Sequence, residues 1–486
     1  MLFSGLPFLY YFLPAVLVCY FAAPRKLKNA VLFVFSLIFY GWGEPRYIVL
    51  MIVSIVSGFV FALMIEKKQN KKSGLILMWI SVAVSLSFLL IFKYADFLIE
   101  NVNQLPGVSL PLFKLSLPIG ISFYTFQIIS YTVDVWRGDT KAQRNIISFG
   151  TYVSLFPQLI AGPIVRYTDI ERELQERKHS VTLAASGIQR FLIGLSKKVL
   201  IANVLGELTD ICLKTSQPSI LSWWMYAAAL VLHIYFDFSC YSDMAIGLGR
   251  IFGFQFPENF NYPLISRSVK EFWRRWHISL SSWFRDYVYI PLGGNRKGKS
   301  RTIFNVLFVF FLTGLWHGAS WNFVLWGIIN GVLVVLCDIR GSKKRENKFH
   351  NKLFSIVVCL IKHVLTLVGI IVLWLLFDRS NVFLQVVLKM FGINFTSLGI
   401  FIEPYQKFVN TPLLKELLSI EFWLSFCFGI FFCFPWKRKL QFIILQDERV
   451  KIVCECTKYL ILLVLLFFSV LSVANGAFNP FIYFRF

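Results

Sequence analysis

Residues 302–327 read TIFNVLFVFFLTGLWHGASWNFVLWG: an apolar run, a histidine at 317, the small-residue break GAS, and a second apolar run. At ~1.5 Å per helical residue, the run from Thr302 to Trp316 reaches roughly 20 Å, against a hydrocarbon core of about 30 Å. The spacing predicts that His317 sits at membrane depth and that a new helix starts near Trp321. An ionisable side chain at that depth is a functional candidate that faces a cavity or the protein interior. A neutral imidazole sheltered from bulk water suits general-base work. The alternative is a histidine that only bridges two helices or anchors an interface beside tryptophan.

Working outward, the whole chain shares this character. Of its 486 residues, 57% are hydrophobic and 15% charged, where a soluble protein carries roughly 25% charged residues. The composition predicts an all-α polytopic membrane protein with about 10–14 membrane helices, some of them re-entrant or in-plane. The stronger candidate spans are 6–22, 47–65, 74–92, 183–206, 221–237, 353–377 and 452–475. Shorter or interrupted ones are 30–42, 117–135, 146–162, 239–256, 303–318, 321–337 and 421–436. One membrane domain is expected over 1–486, with N-terminal helices at 1–135, a core at 136–340 and C-terminal helices at 341–486.

The formal charge of +23 would suggest a nucleic-acid partner in a soluble protein. Here the basic residues fall in short loops such as PRKLK (24–28), EKKQNKK (66–72), RGSKKRENK (340–348) and KRKLQFIILQDERVK (437–451). That placement orients spans with those loops in the cytoplasm and favours an anionic lipid surface, so no nucleic acid is expected. Basic residues follow the first apolar run rather than precede it, which predicts a retained span with an external N-terminus. The nine cysteines lie mostly in apolar runs without zinc-ligand spacing, and Cys454 with Cys456 reads as two small apolar residues at a helix end.

Residues 270–290, KEFWRRWHISLSSWFRDYVYI, repeat aromatic residues at helical spacing, with Lys270, Arg274 and Arg285 away from them. The pattern predicts a helix lying in the membrane plane at the cytoplasmic interface, with Trp276 and His277 toward its buried side. A glycine turn with Arg296 and Lys297 follows. Together with Arg274 and Arg275 it could be a solvated basic face, or a docking surface for a phosphorylated ligand such as coenzyme A. His233 and Asp237, four apart, would share a helix face but supply too few ligands for a metal, and none is expected. Ser239 or Ser242 beside Asp243 lacks the strand–turn–helix elbow of a serine nucleophile.

Five stretches, SFYTFQIISYTVDVWRG, FPQLIAGPIVRY, IYFDFSCYSDMAIGLGRIFGF, EFWRRWHISLSSWFRDYVYIPLGGNRKG and LWHGASWNFVLWG, occur in an order that resembles the bacterial membrane-bound O-acyltransferase (MBOAT) family. The likeness is to the membrane subunit of alginate and related polysaccharide O-acetyltransferases, and it extends to the ending NPFIYFRF. It implies a multi-helix bundle around a tunnel, with His317 as the catalytic histidine and His277 as the second functional one. Within the family's pattern His233 stands where glutamine is usual and Cys240 where glycine is usual.

The resemblance further implies an acetyltransferase of the bacterial cytoplasmic membrane. It would take acetyl-CoA as donor, hold no bound cofactor, and serve a polysaccharide acceptor through an extracytoplasmic acyltransferase partner. His317 is then expected to deprotonate the acceptor hydroxyl and His277 to orient or polarise the reacting groups. Trp276 and Trp316 would line the tunnel, and Asp243 and Asn305 are further orienting candidates. The alternatives are D-alanyl transfer to teichoic acid from a carrier-protein thioester, and a transporter or scaffold without acyl chemistry. A transporter commonly shows paired repeats, and no internal repeat is visible here.

Overall fold

The structure is a computed structural model describing residues 1–214, 219–342, 352–378, 383–396, 399–402, 419–436 and 448–475. The NPFIYFRF ending and most of the basic loops at 340–348 and 437–451 lie outside the described residues. The described chain is helical apart from one hairpin, in which Ile393–Thr396 pairs antiparallel with Gly399–Ile402. That hairpin and the helix Phe383–Met390 occupy a stretch that reads in the sequence as a polar external loop, 378–420.

Six described helices are long and apolar enough to cross a membrane alone: Ile48–Lys67, Lys72–Val102, Ile220–Ile251, Trp321–Asp338, Phe354–Asp378 and Ile452–Ala474. Several other expected spans take different forms. Residues 183–206 become Val181–Ser196, a π-helical turn Lys197–Ala202, and Asn203–Lys214. The expected pair 221–237 and 239–256 is one 32-residue helix, Ile220–Ile251. Its polar centre, DFSCYSD, contains no glycine or proline, and Asp237 and Asp243 find ionic partners, so nothing breaks the helix there.

The chain forms two compact units. The first comprises residues 1–194 and 241–258, the second 195–240 and 259–486.

In the first unit, Ile48–Lys67 buries Ser54, Gly58 and Ala62 while exposing Val49, Val53, Val56 and Val60. Lys72–Val102 likewise buries Gly74, Ser81 and Ser85. A lipid-facing surface is as apolar as a core, so small and hydroxyl residues, which let backbones approach, mark the inward faces. A Cβ on Gly58 would come 2.7 Å from Ile128 Cγ2. Ile128 belongs to Ile121–Arg137, a helix bounded by Gly120 and Gly138 in the left-handed region and buried over most of its length.

In the second unit, Lys299–His317 and Trp321–Ser342 form a tight helical hairpin. A Cβ on Gly314 would collide with the Phe323 carbonyl oxygen, and one on Gly327 with that of Phe310. The facing glycines therefore let the two backbones touch. Val269–Arg275 docks on the second arm through Trp273 Nε1, which donates to Asn330 Oδ1 at 3.0 Å, and through a Lys270–Asp338 ion pair. A Gly327→Val substitution should lower stability by about 1–3 kcal/mol or more by overpacking this seam. The check is thermal unfolding of the purified protein in detergent, and an unchanged Tm would contradict the seam.

Candidate active site

The expected in-plane helix over 270–290 is broken in the structure. Val269–Arg275 ends, Trp276 is extended, and His277 adopts φ +43° before Ile278–Phe284 begins. A left-handed conformation is uncommon for a non-glycine residue and needs surrounding structure to hold it. That support comes from residues 259–261. The Asn259 carbonyl accepts Ile278 N–H at 2.9 Å, and Asn259 Oδ1 accepts Ser279 N–H at 3.3 Å and Ser279 Oγ–H at 2.9 Å. Asn259 thus caps the new helix from a separate segment and satisfies donors that a helix start leaves open. On the other side of the break, Asn261 N–H donates to the Arg275 carbonyl at 2.9 Å.

The same amide oxygen defines the state of His277. Asn259 Oδ1 lies 3.0 Å from His277 Nδ1 and already accepts a backbone N–H, so the oxygen is an acceptor and Nδ1 carries the proton. Nε2 is left with its lone pair and no hydrogen-bond partner among the described residues. His277 is 1% exposed, and burial pushes its imidazole down to about 3, keeping the ring neutral at physiological pH. A neutral Nδ1–H imidazole presents an acceptor at Nε2, not a donor. In this tautomer His277 Nε2 can accept from a donor group.

Trp316 connects the two histidines, its ring centre 6.0 Å from His277 and 4.8 Å from His317. His317 ends the Lys299–His317 helix and is 7% exposed. Its ring meets Trp326 edge-on at 5.1 Å and Phe377 at 5.0 Å. Phe238 meets His277 edge-on at 4.8 Å. Trp276 packs between Phe260, Phe272 and Trp374 at 5.1, 5.4 and 4.9 Å. Both histidines therefore lie in one aromatic enclosure of the second unit.

The remaining sequence candidates separate by what holds them. Asn305 is fully buried and donates through Nδ2 to Gly294 O at 2.8 Å, so it fastens the glycine turn. Twelve residues of helix put it about 18 Å from His317, too far to orient that ring. Asp243 belongs to the first unit, where Arg190 Nε donates to it at 2.6 Å and Glu258 shares the same guanidinium. Arg275 is held by Glu271 and the Asn261 carbonyl, while Arg274, Arg296 and Lys297 are exposed. Asp237 pairs with buried Lys198 at 2.6 Å instead of acting with His233, which packs against Gly206.

Sequence reasoning missed Asn259, Phe238, Trp326, Trp374 and Phe377. Asn259 lies in PENFNYP, a polar loop with no motif. Trp374 and Phe377 end an apolar span whose composition does not separate a site wall from lipid-facing surface.

The folded His277 ring resists a proton that an unfolded histidine takes up below about pH 6.5. Its stabilising contribution is therefore full above that pH and is lost as pH falls from there toward 3. We expect Tm to drop on acidification below about 6.5 and His277→Gln to flatten that drop, as read by thermal unfolding across pH. Asn259→Ala strands buried donors and should cost about 1–3 kcal/mol. A wild-type Tm for that variant would contradict the capping role.

The sequence profile of the membrane-bound O-acyltransferase family, MBOAT, matches residues 141–377, which contain both histidines and end at Phe377. The probable alginate O-acetylase of Pseudomonas putida is 36% identical over 496 aligned positions that cover the whole of both chains. The peptidoglycan O-acetyltransferase of Helicobacter pylori is 32% identical over 84% of this chain and 83% of its own. The teichoic acid D-alanyltransferase of Bacillus subtilis is 29% identical over 61% of this chain and 75% of its own. An apolar helical architecture, the family match over residues 141–377 and the full-length relative together make this chain a membrane-embedded acyltransferase that belongs to the membrane-bound O-acyltransferase family.

Proposed function

We propose that this enzyme takes an acetyl group from acetyl-CoA on the cytosolic side of the bacterial cytoplasmic membrane. It passes the group across for O-acetylation of an exported or cell-surface polysaccharide such as alginate, through an extracytoplasmic acyltransferase partner. The carrying observation is the buried aromatic enclosure that gathers His277, Trp316 and His317, in which His277 Nε2 has no hydrogen-bond partner among the described residues. The names of the alginate and peptidoglycan relatives support acetyl as the group transferred.

In this reading His317 takes the proton of the acceptor hydroxyl as that oxygen attacks the thioester carbonyl. The tetrahedral intermediate collapses by breaking the C–S bond, and the imidazolium returns the proton to the departing thiolate. Atoms and charge balance without a further reagent. The C-terminal end of the Lys299–His317 helix, with its unsatisfied carbonyls, favours the transient positive charge. His277 Nε2 accepts a hydrogen bond from the acceptor hydroxyl or from an amide N–H of the donor's arm, positioning it. The indole walls exclude water, which suppresses hydrolysis of the thioester. Exposed Arg274, Arg296 and Lys297 offer cations to the phosphates of coenzyme A.

The D-alanyl alternative has the teichoic acid relative in its favour, but that match covers 61% of the chain where the alginate relative's covers all of it. In proteoliposomes supplied with labelled acetyl-CoA and an acceptor, His317→Ala should lower transfer by about 10²–10⁴-fold with Tm retained. Wild-type turnover in that variant would overturn the mechanism. His277→Ala should lose more activity than His277→Gln, whose amide oxygen can still accept at the Nε2 position. An aminoacyl carrier protein offered as donor should give no transfer, and transfer from it would favour the D-alanyl reading.

A further inference from the structure

Away from the histidines, the first unit holds a knot of cations that the acyl-transfer chemistry does not use. Residues 20–28, 177–179 and 252–254 converge on the hydroxyl of Tyr20, a fully buried side chain. That hydroxyl accepts Arg177 Nη1–H at 2.9 Å, donates to the Phe252 carbonyl at 2.8 Å, and lies 3.3 Å from His179 Nε2. Lys28 Nζ stands 4.3 Å above the Tyr20 ring and donates to the Tyr20 carbonyl at 2.9 Å. The Arg177 guanidinium lies 4.6 Å from the centre of the Phe254 ring. Gly253, at φ +85°, makes the turn that leaves room, since a Cβ there would come 3.0 Å from His179 Cε1.

No carboxylate pairs with Arg25, Lys28, Arg177 or His179 among the described residues. Glu173 gives Arg177 only its backbone carbonyl, at 2.9 Å. Partial burial, then the neighbouring charges of Lys28, Arg177 and Arg25, push His179 below its ordinary value. Burial and the charges of Arg177 and Arg25 push Lys28 down as well. By contrast, Lys198 and Arg190 in other parts of the chain each meet a carboxylate. Like charges gathered without one repel and invite an anion.

The surroundings indicate which anion. The cluster lies where the apolar helix Pro7–Ala22 gives way to the basic loop 24–28, the sequence signature of a membrane–water boundary. Val18 and Phe21, on the same helix, are 69% and 51% exposed and offer acyl chains an apolar surface beside the cations. We propose that Arg25, Lys28, Arg177 and His179 form a binding site for the phosphate of an anionic phospholipid headgroup, with the lipid chains lying along Val18 and Phe21. Basic pockets at helix ends are suited to such headgroups. The lipid would tie the start of the chain to the 177–179 and 252–254 turns and act as a structural part of the first unit.

The test uses the full-length protein purified in a neutral detergent. Its Tm is measured against added phosphatidylglycerol, phosphatidylcholine, coenzyme A or inorganic phosphate. Phosphatidylglycerol should raise Tm by at least about 3 °C, with no shift from the other three. The surface double variant Arg25→Gln/His179→Gln should lose at least half of that shift. Arg177→Lys, which keeps the charge but not the two-pronged geometry, should also weaken it; if it does not fold, the double variant decides. No phosphatidylglycerol shift in the wild type, or an undiminished shift in the double variant, would overturn the proposal. An equal shift with coenzyme A or inorganic phosphate would also overturn it, by assigning the site to a soluble phosphate.

Discussion

The aromatic enclosure that holds the two histidines depends on one short seam, where residues 259–261 lie along the chain break at Trp276 and His277. Two helix ends meet there in a buried setting, and each leaves backbone groups that must find partners. Asn259 supplies acceptors to Ile278 and Ser279, and Asn261 supplies a donor to Arg275. With these bonds made, the break costs little and His277 points inward with a defined tautomer.

A second constraint fixes His317. The hairpin of Lys299–His317 and Trp321–Ser342 closes on facing glycines, so its arms cannot slide without backbone collision. The first arm ends at His317, whose ring lies against Trp316, Trp326 and Phe377. A late helix, Lys352–Asp378, supplies Trp374 and Phe377 to the enclosure. In such surroundings a lone pair or a transient charge is screened little, so the interactions that remain carry more weight.

Most charges buried elsewhere are neutralised within the protein. Lys198 meets Asp237, and Arg190 meets Asp243 and Glu258. An ionisable residue in an apolar run is a functional candidate by default, and the partner of Asp243, Arg190, comes from a distant helix that the local pattern does not reveal. The cations around Tyr20 are the contrasting case, drawn together by aromatic faces and backbone carbonyls with no acid to meet them among the described residues.

The sequence by itself determined the membrane class and the helical content, because composition and run length are additive properties that need no tertiary contact. It also indicated that His277 is buried, although the helical spacing that led there does not persist through the break. Tertiary structure decided what depends on partners remote in the chain. Asn259 sets the tautomer of His277, Trp374 and Phe377 complete the enclosure, and Asn305 is assigned to the glycine turn. The continuity of Ile220–Ile251 was decided the same way. In a membrane protein apolar residues face both lipid and core, so hydrophobicity cannot say which tryptophan lines a site. Only the geometry of hydrogen bonds and close backbone approach can.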